Sequence, residues 1–170
     1  ETPTLNADVP LLNNLPAVFF QPSRERRNIT YITPPDYSPL ALNRLNAKIT
    51  ARPNDMESRM GRAAWYEHRN NDELTLIDLN YVIENINIFS SLQPEKIRAN
   101  AIAKRGFLYE KQGDNTRALQ EYTNALNINP NNAFAAVRSK VVNQRLGNHE
   151  AALANEEALG AMYNRASSNY

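Results

Sequence analysis

The stretch that decides the fold is Ala99 to Asn132, ANAIAKRGFLYEKQGDNTRALQEYTNALNINPNN. Its first half carries small and apolar residues at helical spacing, with Gly106 and Tyr109 on one face. Gly113-Asp114 then breaks the pattern, offering a residue suited to left-handed backbone followed by a helix cap. A second helical pattern follows through Ala118, Leu119, Tyr122, Ala125 and Leu126, and Pro130 stops it. This is a helix–turn–helix unit whose small residues let two backbones approach while Tyr109, Leu119, Tyr122 and Leu126 fill the volume around them.

The same unit recurs on both sides. Gly113, Ala118 and Leu119 return 34 residues later as Gly147, Ala152 and Leu153. Stepping back needs 43 residues, and then Arg105, Tyr109, Glu110, Leu119 and Leu126 meet Arg62, Tyr66, Glu67, Leu76 and Ile83. The extra nine residues fall before Pro94 and predict a lengthened helical hairpin. A further 34 back, Ala41, Leu42 and Ile49 stand where a lone second helix belongs. Ser38-Pro39 reads as that helix's start. Seven antiparallel helices are thus predicted: one ending before Arg52-Pro53, then Met56 to Arg69, Asn71 to about Phe89, Pro94 to Gln112, a fifth closing at Asn129-Pro130, Asn132 to Leu146, and a seventh to about Tyr163.

A 34-residue helix–turn–helix period resembles the tetratricopeptide repeat (TPR) family. In Ala99–Asn132 the family's small residue resembles Gly106, its aromatic Tyr109, and its second-helix Ala, aromatic, Ala and closing Pro resemble Ala118, Tyr122, Ala125 and Pro130. Met56–Phe89 matches with Thr75 in place of the packing Ala, and the unit from Ala133 departs at Lys140 and Asn143. The expected fold is therefore all-α, a TPR-like solenoid of three units plus a preceding helix. Residues 1–37 form a proline-rich extended arm, 38–163 the repeat domain and 164–170 a tail. Seven of the 10 prolines lie before residue 40, which forbids long helix there. Leu11, Leu12, Val18, Phe19, Phe20, Tyr31 and Ile32 make this arm too apolar for a plain linker. It is expected to dock on its own solenoid or on a partner, with Arg24, Arg26 and Arg27 in a solvated turn.

The resemblance implies a ligand groove lined by the first helix of each pair. Its matching residues are Met60, Ala64, Ala103, Lys104, Phe107, Glu110, Val137, Arg138, Val141 and Arg145. One family subset grips a peptide carboxylate with Lys and Asn, and Met60 and Ala64 resemble those positions, so that clamp is missing. The groove reads as mainly apolar, suited to an amphipathic or extended apolar segment, with Lys104 and Arg138 meeting acidic or polar groups. Phe107, Val137 and Val141 read equally well as packing between units.

Chemistry finds little purchase. His68 and His149 lack metal-ligand spacing, and no phosphate loop, His-Glu-x-x-His or nucleophile elbow is present. Cysteine is absent and the formal net charge is +1, which argues against thiol chemistry and against nucleic acid as principal partner. The apolar runs are too short for a transmembrane helix. The reading is a non-catalytic protein-interaction scaffold without cofactor or metal. The alternative is a self-association module building a homo-oligomer through the arm or terminal helix. A start at Glu1 without Met, as in a processed or recombinant chain, together with missing Cys and a proline-rich lead-in, fits an exported bacterial envelope protein. A cytoplasmic scaffold fits the helical domain too.

Overall fold

The structure is a computed structural model of the chain and describes residues 35–87, 91 and 93–168. Residues 1–34 of the expected arm, with Phe19, Phe20 and the arginine cluster, lie outside those residues, as does the helix end expected at Phe89; its last residues, Pro35 to Tyr37, are described. Among the described residues the chain forms α1 (Pro39–Ala51), α2 (Met56–His68), α3 (Asp72–Asn85), α4 (Pro94–Lys111), α5 (Asn115–Ile128), α6 (Ala133–Arg145) and α7 (His149–Ser167), and no strand. None of these helices is long and apolar enough to cross a membrane.

Local chemistry sets the boundaries. Ser38, Asp55, Asn71, Asp114 and Asn132 each accept a backbone N–H three residues ahead, satisfying a donor that the first turn leaves without a partner. Asn70, Gly113 and Gly147 occupy the same place in successive units, and all three have positive φ, at 55°, 81° and 75°. Asn and Gly tolerate this left-handed backbone, which reverses the chain between paired helices.

The nine-residue insertion lengthens the helical hairpin through α4 and the connection, and not through α3 as expected. α3 is not lengthened: it ends at Asn85, whose amide donates to the Tyr81 carbonyl, and buried Ile86 turns extended. The added length goes instead into the connection and into α4, which has 18 residues against 13 in α2 and in α6. At the other end α7 continues past Tyr163 to Ser167.

Packing follows the repeat. α2 packs on α3, α4 on α5 and α6 on α7, and each pair meets the next through α3·α4 and α5·α6. The first helices also touch one another, α2 on α4 and α4 on α6, whereas α1, α3, α5 and α7 make no such contacts. First helices are therefore crowded together and second helices splayed, so this domain curves with α2, α4 and α6 on its inner face. The core lies between the layers. One cluster joins Met56, Ala63, Leu79, Val82 and Leu108; the next joins Ala99, Ala103, Ala118, Tyr122, Ala125 and Val142.

A close approach lies at Gly106, where an added Cβ would sit 2.9 Å from Glu121 Cβ and 3.0 Å from the Tyr122 ring. Thr75, in the place of a packing Ala, is buried but donates its hydroxyl to the Asn71 carbonyl at 2.7 Å, so nothing is left unsatisfied. Lys140, in the glycine's place, reaches Glu156 at 3.0 Å.

Candidate partner-binding groove

Among the polar contacts within each hairpin, one recurs with the period. In the first unit Arg62 of α2 donates twice to Asp78 of α3, both at 2.7 Å, and once to Asn46 of α1. In the second, Arg105 of α4 donates twice to Glu121 of α5 and once to Asn80 of α3. In the third the pair shrinks to Asn155 donating to Ser139 at 3.1 Å. These groups lock first helix to second and leave the inner face to other residues.

Across that inner face runs a second periodic set. Lys104 of α4 donates to Glu67 of α2 at 2.5 Å. One unit on, Arg138 of α6 pairs with Glu110 of α4, and Arg145 joins it at 3.2 Å. Glu67 and Glu110 are repeat equivalents, as are Lys104 and Arg138. Glu110 is buried and also accepts the Tyr122 hydroxyl at 2.8 Å. Burial pushes its carboxyl up, but the hydrogen bonds from Arg138 and Tyr122 and the Arg138 charge more than offset this, holding it below the ordinary value. The same contact raises Arg138, through its hydrogen bond to Glu110. Tyr122 is raised by burial first and then by the Glu110 carboxylate.

Aromatic rings lie beside these ion pairs. Phe107 meets Phe134 edge to face, centroids 6.0 Å apart, with the Arg138 guanidinium 5.0 Å from the Phe107 ring. Tyr37 stacks on His68 at 4.0 Å and 7°. Between α2 and α4 these groups border an open hollow of about 460 Å³, lined by Tyr37, Ala64, Glu67, His68, Asn70, Lys104, Phe107 and Lys111. Two further hollows, of about 480 and 620 Å³, lie between the start of α4 and the end of α5, around Pro94 and Ile128, and share no lining residue with this one.

The ten residues singled out in the sequence divide by environment. Ala64, Lys104 and Phe107 line the hollow. Val137 is 43% exposed on α6, and Val141 is half-buried one turn on. Met60 is half-buried against the core, and Ala103 has no exposed surface. Lys104, Glu110, Arg138 and Arg145 are paired with one another or with Glu67. Sequence reasoning passed over Phe134, 41% exposed beside Val137, and Glu67. The 43-residue step from Glu110 points directly to Glu67. Among the described residues no group of His, Asp and Glu is placed to hold a metal ion.

No protein-family model matches the chain, and no curated protein does. A solved structure described as MamA MSR-1 C2, a TPR-containing protein, is 19% identical with a TM-score of 0.52, covering 74% of this chain and 70% of that one. A crystal structure of MamA is 15% identical with a TM-score of 0.42, covering 76% and 90%. The fold is that of a TPR-like helical repeat. At this identity the likeness speaks to the fold alone.

Proposed function

We propose that this chain is a non-catalytic protein-interaction scaffold, holding a partner segment against the inner face of α2, α4 and α6. The observation that carries the reading is the apolar surface on that face: exposed Phe134 and Val137 beside half-buried Phe107, Val141 and Ala64. A large aromatic left 41% exposed on a curved inner face is the kind of anchor that partner recognition uses. The nearby charges are engaged in holding α2, α4 and α6 in register. The partner is therefore an amphipathic helix or extended segment presenting apolar side chains, rather than an acidic peptide seeking free cations.

The test is a pull-down from the source organism with the wild-type chain and a Phe134→Ala/Val137→Ser variant. Both residues are exposed, but Phe134 packs edge to face on Phe107, so circular dichroism melts should show a loss of no more than about 1.5 kcal/mol and accompany the binding assay. A partner held by the wild type and released by the variant, at a cost of about 2 kcal/mol or more, supports the reading. Equal retention by both places function elsewhere. Self-association through the terminal helix is a second reading, favoured by α7, where Ala152 is buried and Leu153 and Tyr163 are 61% and 73% exposed.

A further inference from the structure

Among the described helices, α1 packs on α2 alone and α7 on α6 alone, so each of these two helices has a neighbouring helix on one side only. What each end leaves uncovered follows from the period. Arg44 and Lys48 of α1 are the repeat equivalents of Asp78 and Val82 in α3, which are buried against α2. No described first helix covers α1 in that way, and Leu40, Asn43, Arg44, Ala47, Lys48 and Ala51 form one exposed stripe at helical spacing. α1 contains two cations and no carboxylate. Asp36, ahead of the helix, comes within 3.9 Å of Arg44, but both side chains are more than half exposed and water screens the pair.

At the other end, Leu153 is the equivalent of Leu76 and Leu119, both partly covered by neighbouring helices, and here it is 61% exposed. Glu150 and Glu157 flank it one turn to either side on the same stripe, exposed and without an ion pair among the described residues. Gly160 and Ala161 continue the stripe, and an added Cβ at Gly160 would meet nothing within 4 Å, so a helix has room to approach closely. One end is apolar and cationic; the other is apolar and anionic.

We propose that the α1 end of one copy docks on the α7 end of a second copy, in a head-to-tail contact. Two separate patches on one molecule with opposite charge and matching apolar centres (Leu40 on one, Leu153 on the other) favour association with another copy in this sense. Because the two patches differ, the contact leaves a free end on each dimer and repeats along a row. The proposal rests on the second reading, self-association through the terminal helix, and deepens it by naming α1 of another copy as what α7 meets; it does not use the inner face, which stays open for a partner.

The experiment uses the full chain. Size-exclusion chromatography with light scattering, from about 1 μM to 1 mM protein, should show the mass rising above the 19.3 kDa of the monomer. Raising salt from about 0.05 to 1 M should reverse the rise. Arg44→Glu/Lys48→Glu makes both ends acidic, and Glu150→Lys/Glu157→Lys makes both basic; each variant alone should associate about tenfold or more weaker. Mixed together, they present complementary ends again and should recover assembly. Circular dichroism melts on each variant keep unfolding apart from lost contact. A wild type that stays monomeric throughout overturns the proposal. So does assembly indifferent to salt and to both reversals, or a mixture that fails to recover. Partner retention on the inner face should be unchanged in either variant, which separates this proposal from the groove.

Discussion

Replacing Glu110 by Gln keeps the side chain's size and removes the charge on which α4, α5 and α6 converge. The wild-type carboxylate, with a side chain 4% exposed, accepts from Tyr122 at 2.8 Å and from Arg138 Nε at 3.1 Å, with a closer contact to Arg138 Nη2. A hydrogen bond to a charged group contributes about 1.5–3 kcal/mol. Arg145, its side chain 51% exposed, adds less than about 1 kcal/mol because water screens it. Gln still offers one acceptor, so the expected loss is about 2–3 kcal/mol at neutral pH. For a helical domain of this size that lowers Tm by roughly 6–15 °C. The pH dependence has a definite sign. Glu110 is held below its unfolded value, so its contribution is fully present above the unfolded carboxylate pKa and is lost as pH falls through the folded one. Gln does not titrate. Thermal melts of both proteins from neutral to acid pH should therefore show a gap that is widest near neutrality and narrows only once pH falls below the unfolded carboxylate value of about 4.3. Coincident melts at neutral pH, or a gap unchanged in acid, would refute the placement of Glu110 at this junction.

Two further outcomes test the packing. Arg62→Met strips Asp78, its side chain 1% exposed, of two 2.7 Å hydrogen bonds and leaves it Arg59 at 3.4 Å, so urea melts should show a loss of about 3–5 kcal/mol, and the double variant with Asp78→Leu should recover much of it. Ala118→Leu forces a larger side chain into a site with no exposed surface, in the same helix pair as the Gly106 approach, and should cost about 1–3 kcal/mol; an unchanged Tm would count against the repeat register.

The sequence by itself determined the helices and their order, because those signals are local. A cap such as Asp114 needs a backbone N–H three residues away, and Gly113 needs only its own φ; both act before any distant contact exists. The 34-residue period likewise told which residues share a face, since helix geometry sets that from spacing alone. It misplaced the end of α3, where Asn85 and buried Ile86 stop a helix that the apolar pattern would have carried on to Phe89. What only the tertiary structure decided is who meets whom across helices. Lys104 and Arg138 read in the sequence as cations open to a ligand; stacking brings Glu67 and Glu110 against them, and an ion pair 28 or 37 residues apart leaves no local trace. Ala103 and Val137 occupy equivalent positions, yet Ala103 is covered and Val137 is 43% exposed. Burial depends on whether a neighbouring unit lies over the face, and spacing within one helix carries no information about that.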